Sequence, residues 1–178
     1  MLQEEYFIIE SENNGNYPMF SWDQSSGAFG QGRPVKIKQP VKMRLGEPVP
    51  ANFEWADYYE VPGPVVSRPI AEVLAAMKIY GVQLVPAKVG NPKEPDSVAR
   101  DYWFIHVWNR ISCLDRSNSE LELYGDGTIF SIEELQLDEN SLASVEPDKR
   151  LFFGLCEKRS VLLLHRSIKD AIESVKPR

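Results

Sequence analysis

Short apolar runs and alternating apolar positions recur along the chain and predict a series of β-strands. Alternation with a period of two indicates one buried face of a strand, and a continuous apolar run indicates two. Tyr102–Trp108 is the strongest such run, because both of its alternating faces are largely apolar, so we expect a central strand covered on each side. Further strands are predicted at residues 6–9, 35–45, 82–89, 121–124, 128–132, 151–156 and 161–164.

Proline, glycine and small polar residues indicate where these strands bend or end. Pro40 interrupts the half-exposed run at residues 35–45, which predicts an edge position or a bend, since proline cannot donate to a sheet ladder. Gly125–Gly127 joins two of the runs and indicates a hairpin. Ser11–Arg33 is rich in Asn, Gly and Ser, and Gly46–Pro64 carries four prolines, so both are predicted to be irregular connections.

Two segments instead show the i, i+3, i+4, i+7 spacing of an amphipathic helix. The apolar positions are Ile70, Val73, Leu74 and Met77 in the first, and Ile168, Ala171, Ile172 and Val175 in the second. Ser67 is predicted to cap the first helix and Gly81 to end it. Runs of strands with two helices, without strict alternation, predict an α+β fold with a mixed, mainly antiparallel sheet.

The length and the charge of the chain indicate how many domains it has and which kind of partner it binds. The 178 residues correspond to about one domain of ~150 residues, so we expect a single domain over residues 1–178. The chain has 26 acidic and 20 basic residues, for a net charge of −6. Its densest basic stretch, Arg33–Arg44, alternates with apolar residues and is typical of a solvated strand face. Nucleic-acid binding is therefore disfavoured, and a basic protein surface suits the charge better.

Cysteine usage and hydropathy predict a cytoplasmic protein. The two cysteines, Cys113 and Cys156, form no CxxC pair, and two sparse thiols are typical of a reducing compartment. The N-terminal sequence MLQEEYFIIE opens with acids and lacks the basic and apolar regions of a secretion signal. No run reaches the ~18 apolar residues of a membrane span, so no membrane partner is expected.

Candidate catalytic residues are few. His106 lies in the aromatic strand, where we expect a packed, hydrogen-bonded imidazole rather than a general base, and His165 stands at the predicted start of the last helix. A dyad of Cys113 with either histidine, oriented by Asp115, is the alternative. Apolar neighbours predict a buried Cys113, and burial makes a thiol inert. We therefore predict no catalytic residue, no metal site and no cofactor.

A series of motifs in the second part of the chain resembles a large bacterial family. The family was first described as a domain of unknown function and later grouped with the immunity proteins of polymorphic toxin systems. The resemblance covers about residues 64–175 and rests on Pro64–Ser67, Gly81–Pro86, Tyr102–Arg110, Cys113–Asp115, Ser117, Ile129–Ile132, Leu135–Asp138 and Leu151–Phe153 in this order. The family usually opens the final helix with a Ser-type residue, whereas His165–Ser167 reads His-Arg-Ser here.

This resemblance divides the chain into a strand- and loop-rich part at residues 1–63 and a family-like core at residues 64–178. It implies a protein that binds a co-encoded toxin and occludes the toxin's active site, without catalytic residues of its own. Tight binding requires buried aromatic or arginine anchors, and the N-terminal part is rich in aromatics. We therefore expect a contribution to the partner surface from Trp22, Phe29, Trp55, Tyr58 and Tyr59.

Three alternatives remain open at this point. The N-terminal aromatics can instead cover the sheet, because large aromatic side chains are the first to be buried. The chain can also be a structural or scaffold domain, including a homodimer, or less favourably a small enzyme that uses Cys113 or His106. Loss of activity in an alanine variant of either residue, with the fold intact, is the result that favours the enzyme.

Overall fold

Twelve β-strands and three α-helices build the chain in a computed structural model that describes residues 1–178. The strands are β1 (Tyr6–Ile8), β2 (Phe20–Trp22), β3 (Val41–Leu45), β4 (Tyr58–Tyr59), β5 (Val65–Val66), β6 (Val82–Gly90), β7 (Arg100–Val107), β8 (Arg110–Ile111), β9 (Glu120–Leu123), β10 (Ile129–Glu134), β11 (Phe152–Leu155) and β12 (Leu162–His165). The helices are α1 (Arg68–Met77), α2 (Glu139–Ala143) and α3 (Arg166–Ser174). The predicted α+β class with mainly antiparallel pairing is confirmed, with one helix more than expected.

A six-stranded sheet in the order β2-β3-β6-β7-β5-β4 forms the larger layer. All of its strand pairs are antiparallel except β3 with β6. β7 pairs with β6 from Val107 to Arg100 and is covered on both faces. Tyr102 and Phe104 lie in one apolar cluster, whereas Ile105 and Val107 lie in another. The central, doubly covered strand predicted from the alternating pattern is therefore confirmed.

A second sheet of four strands, in the order β1-β12-β11-β8, packs on the first through a shared core. This core joins Ile105 of β7 with Leu74 of α1, Ile168 of α3 and Phe152 of β11. Each helix thus buries the apolar stripe that predicted it. The next residue of β11, Phe153, points to the opposite face of the four-stranded sheet, as the strand period requires.

The opposite face of the four-stranded sheet is covered by a two-stranded hairpin, β9–β10, and by α2. Ile129 of β10 and Leu142 of α2 are buried there with Phe153. Asp138 caps the N-terminus of α2, and its carboxylate accepts hydrogen bonds from the backbone N–H groups of Asn140 and Ser141. A helix of five residues is too short to show a 3.6-residue period, so the apolar pattern did not predict it.

Two kinds of prediction about the N-terminal part were wrong. The irregular connections predicted at residues 11–33 and 46–64 contain β2, which pairs with β3, and β4, which pairs with β5. Residues 35–40 are not a strand, because the side-chain amide of Gln83 bonds both the backbone N–H and the carbonyl of Val35, at 3.0 and 2.8 Å. β3 begins only after Pro40 and is an interior strand between β2 and β6, so the predicted edge position was wrong, whereas the predicted bend is present at residues 38–39.

The ends of α1 also differ from the prediction. Ser67 occupies the N-cap position, but its hydroxyl makes no capping hydrogen bond and is buried without a partner. Lys78 ends the helix in the left-handed conformation, with φ of 49°. Gly81 follows in the next turn with φ of 74°. In α3, by contrast, the Nδ1 atom of His165 accepts the backbone N–H of Ser167, so His165 caps the helix that it precedes.

Substitution of Gly81 by alanine is expected to destabilise the protein by about 2–4 kcal/mol. An added Cβ would lie 2.0 Å from the Cβ of Asn109, at a positive φ that alanine disfavours. Gly30 is the matched control, because nothing lies within 4 Å of an added Cβ and its φ is not positive. Urea unfolding of Gly81→Ala and Gly30→Ala checks this. Equal midpoints for the two variants would contradict it.

Candidate interaction surface

The predicted aromatics Trp22 and Phe29 lie together against the six-stranded sheet. Trp22 belongs to β2 and Phe29 to a short 3₁₀ helix at Gly27–Gly30, and their rings stack with centroids 5.6 Å apart. Both rings meet the edge of Phe104, at 5.1 and 4.8 Å. Both side chains are half-buried, so they cover the sheet and keep an exposed edge.

The other three predicted aromatics do not form one patch with this pair. Tyr59 is buried and stacks on Phe20, and Trp55 is half-buried beside Tyr102. Tyr58 is half-buried and packs against the core between the two sheets, on the other side of β4. The structure therefore places all five aromatics against the core, and a contact of their exposed edges with a partner stays a prediction.

Large apolar side chains are instead exposed on the hairpin β9–β10. Leu123, Tyr124 and Phe130 are 51%, 54% and 51% exposed. The rings of Tyr124 and Phe130 meet edge to face with centroids 5.1 Å apart. An exposed aromatic pair that packs on itself is unusual for a surface that serves only solubility, and clustered exposed apolar residues are typical of interaction sites.

The hairpin directs Phe130 outward through an irregularity in its pairing. Ile129 pairs with Leu123 and Ser131 with Glu122, so Phe130 has no opposite residue in β9. A β-bulge of this kind bends the strand and redirects a side chain. Lys158, from the turn between β11 and β12, donates a hydrogen bond of 2.6 Å to the carbonyl of Phe130 and so holds the bulge.

The hairpin itself is acidic, and the two cations that contact its backbone, Arg116 and Lys158, come from neighbouring segments. Residues 120–134 contain five acidic residues, Glu120, Glu122, Asp126, Glu133 and Glu134, and no basic residue. Glu120 lies directly opposite Glu134 in the ladder, where like charges destabilise a sheet. A cationic partner that covered the hairpin would offset the repulsion between these two acids.

The sequence interpretation did not single out this surface. The hairpin itself was predicted, but its exposed face was not. A usable signal was present, because an apolar residue at each of 121, 123, 124, 129, 130 and 132 exceeds what one buried face of two short strands can absorb. Five acids without a base in the same fifteen residues were the second signal.

No hydrogen bond joins Cys113 to His106 or His165. His106 is buried, and its Nε2 atom lies 2.8 Å from the carbonyl oxygen of Arg33, beside Phe29. Cys113 is buried in the core beneath the hairpin. Burial, reinforced by the Glu157 carboxylate, raises the pKa of the Cys113 thiol to about 12. The thiol is therefore protonated at neutral pH, which disfavours it as a nucleophile.

A thiol-labelling experiment checks this description of the two cysteines. Cys156 is exposed and Cys113 is 2% exposed, so a water-soluble disulfide reagent is expected to modify one thiol per native chain quickly. The second thiol is expected to react only after unfolding. A Cys156→Ser variant should show no rapid phase. Rapid labelling of Cys113 in that variant would contradict a buried, protonated thiol.

Membrane-spanning helices and clusters of metal ligands are two further features that would indicate a function. No helix has the length and apolar character that crossing a membrane requires. No three His, Cys, Asp or Glu side chains come together as the ligands of a metal ion. The hairpin, by contrast, carries exposed aromatic side chains, which are enriched in protein-binding surfaces.

An α+β chain with an exposed, acidic and aromatic hairpin has the features of a binding protein. Comparison with known families shows which one: the sequence matches the Immunity protein family (Imm11) over residues 9–177. The chain therefore belongs to this family, and membership implies a role in toxin immunity and a toxin as partner. The match extends the resemblance of residues 64–175 through nearly all of the N-terminal part. No curated protein matches the sequence.

Proposed function

We propose that this chain neutralises its toxin by direct protein–protein binding, and that the hairpin β9–β10 is the centre of the surface that it presents. The observation that carries the proposal is the combination, within residues 120–134, of an exposed Tyr124–Phe130 pair and five acids without a base. Aromatic anchors inside a charged rim are the arrangement that gives interfaces both affinity and orientation.

The hairpin is held ready for binding before the partner arrives. Leu121 and Ile132 pack against the core beneath it, and Ile129 is buried there. Its turn is closed by the Asp126 carboxylate, which accepts the backbone N–H of Thr128 at 2.9 Å. A surface that is already ordered loses little conformational freedom on binding, so more of the contact energy appears as affinity.

The acidic charge of the hairpin indicates which kind of toxin surface it binds. Opposite charges speed the encounter of two proteins and disfavour wrong partners. We therefore infer that a basic region of the toxin meets the hairpin. The hairpin packs on the four-stranded sheet and leaves its outer face free, and we propose that this face occludes the active site of the toxin.

The remaining predictions fit around this centre. A stable interface buries roughly 1,200–2,000 Å² in total, which exceeds what one hairpin offers. The exposed edges of Trp22, Phe29, Trp55 and Tyr58 are proposed as additional contact area.

We also propose that residues 1–178 fold as a single domain and that the enzyme and homodimer are minor alternatives.

Charge reversal on the hairpin tests the proposal. The variant Glu120→Lys/Glu133→Lys is expected to bind the co-encoded toxin at least about tenfold more weakly than the wild type, because two attractive contacts become repulsive. Replacement of Glu120 also removes its repulsion with the opposed Glu134, so the variant should fold at least as well. Binding is measured by calorimetric titration of the purified toxin at physiological salt.

A matched control carries the same change of charge at a different place. Glu94 and Asp96 are exposed in the loop between β6 and β7 and make no ion pair. Glu94→Lys/Asp96→Lys should bind like the wild type. Equal weakening by both double variants would show a general charge effect and would remove the hairpin from the proposal. Absence of any complex with the wild type would favour the scaffold alternative.

A further inference from the structure

A cleft opens where the segment from β4 to β5, the strand β7 and the turn between β11 and β12 meet. Its volume is about 340 Å³, which is within the range of small-ligand sites. Val61, Pro62, Pro64 and Leu162 form apolar parts of its wall. The polar part is cationic, because two of its lining residues are Arg110 and Arg159.

Neither arginine has an anionic partner in the protein. The five ion pairs of the structure involve neither of them. The Nη1 atom of Arg110 is buried and makes no hydrogen bond. Removal of a guanidinium nitrogen from water without a hydrogen-bond acceptor costs free energy, so an unsatisfied donor on a residue that lines the cleft is unusual.

The sheet is built so that Arg110 can occupy this place. Arg110 of β8 pairs with Gly154 in the middle of β11, and its Nη1 atom lies 3.0 Å from where a Cβ on Gly154 would be. Glycine weakens the interior of a strand, and its use here leaves room for the guanidinium. Burial, and secondly the nearby Arg159 guanidinium, lower the pKa of Arg110, as expected for two cations that line the same cleft.

We propose that this cleft binds a small oxyanion, a phosphate or carboxylate group, through Arg110 and Arg159. Two guanidinium groups offer the forked donors that match the paired oxygens of these anions. The Ser160 hydroxyl lies in the same wall and supplies a further donor. The oxyanion belongs either to a free small molecule or to an acidic side chain of the bound toxin, and it balances a positive site in an otherwise acidic protein.

Glu60 is the one acid that lines the cleft, and it makes no ion pair with either arginine. If it competes with the ligand by repulsion, its neutralisation must strengthen binding. If Glu60 instead held an arginine in place, its neutralisation would weaken anion binding. The direction of the change therefore distinguishes repulsion of the ligand by Glu60 from a structural contact between Glu60 and an arginine.

Calorimetric titration of the full chain with sodium phosphate and, separately, sodium succinate tests the proposal. Each probe is expected to bind at one site, and Arg110→Gln and Arg159→Gln are each expected to weaken binding by about tenfold, as loss of a charged hydrogen bond predicts. Glu60→Gln should strengthen binding. Arg116→Gln, an exposed arginine outside the cleft, should leave it unchanged.

Arg159 is exposed, so its variant should keep the fold even if Arg110→Gln does not. Absence of binding by both probes, or equal binding by the wild type and Arg159→Gln, would overturn the proposal. Titration of the toxin complex then identifies the source of the oxyanion. Phosphate that still binds indicates a small molecule, and phosphate that is excluded indicates a carboxylate of the toxin. Neither result depends on the hairpin being the toxin-binding surface.

Discussion

Replacement of Phe152 by alanine is expected to lower the free energy of unfolding by about 3–5 kcal/mol. Phe152 is fully buried in β11, an interior strand of the four-stranded sheet, and it lies in the cluster that joins both sheets and two helices. Its removal leaves a cavity in the core where the two larger sheets, α1 and α3 meet. Guanidinium unfolding followed by circular dichroism measures the loss.

Phe130 supplies the matched control, since the same substitution there removes a ring that is about half exposed to solvent. Phe130→Ala is expected to change the free energy of unfolding by less than about 1 kcal/mol. The opposite ranking is expected for binding the toxin. If Phe130→Ala destabilised the fold as much as Phe152→Ala, the hairpin would be part of the core and the assigned surface would be wrong.

The double variant Tyr124→Ala/Phe130→Ala is expected to weaken the toxin complex by at least about 30-fold. Loss of an aromatic anchor from the centre of an interface costs about 2 kcal/mol or more, which corresponds to this factor. The two rings contact each other and no core cluster includes them, so the variant should unfold at nearly the wild-type denaturant concentration. Surface-immobilised toxin titrated with each purified variant gives the ratio of dissociation constants.

Two exposed apolar side chains elsewhere provide the control for this experiment. Met19 and Val98 are 58% and 96% exposed and lie outside the hairpin. Met19→Ala/Val98→Ala removes apolar surface but is expected to leave the affinity unchanged. An equal loss in both double variants would mean that exposed apolar area in general, and not the hairpin, governs the association.

Elements with a long, regular pattern were predictable from the sequence. β7 is the clearest case, because its two apolar faces predicted a doubly covered strand, and the two clusters on either side confirm it. The two amphipathic helices follow from the same reasoning. Their exact ends did not, because the left-handed conformation that ends α1 is adopted by Lys78 and not by the glycine that follows.

Contacts between distant segments were beyond such patterns. Val35 has the alternation of a strand, yet a single side chain, Gln83, satisfies both of its backbone groups. The N-terminal aromatics illustrate the same limit for the site. Composition shows that Trp22 and Phe29 must be buried or bound, but only the position of Phe104 beneath them shows how much of each ring is already covered.

The exposed hairpin was missed for a different reason. A local pattern predicts which residues of a strand can face a core, but whether another element covers the opposite face depends on the whole fold. In β10 the inner residue Ile129 is buried while its neighbour Phe130 is not. The orphaned nitrogen of Arg110 likewise becomes visible only once β8 lies beside Gly154 of β11.

The most direct test of toxin neutralisation by binding is a growth assay joined to a pull-down. The co-encoded toxin is expressed alone, with the tagged wild-type chain and with the tagged Tyr124→Ala/Phe130→Ala variant. We expect rescued growth and a stoichiometric complex with the wild type, and loss of both with the variant at equal protein level. Rescue without a complex, or full rescue by the variant, would contradict neutralisation through this hairpin.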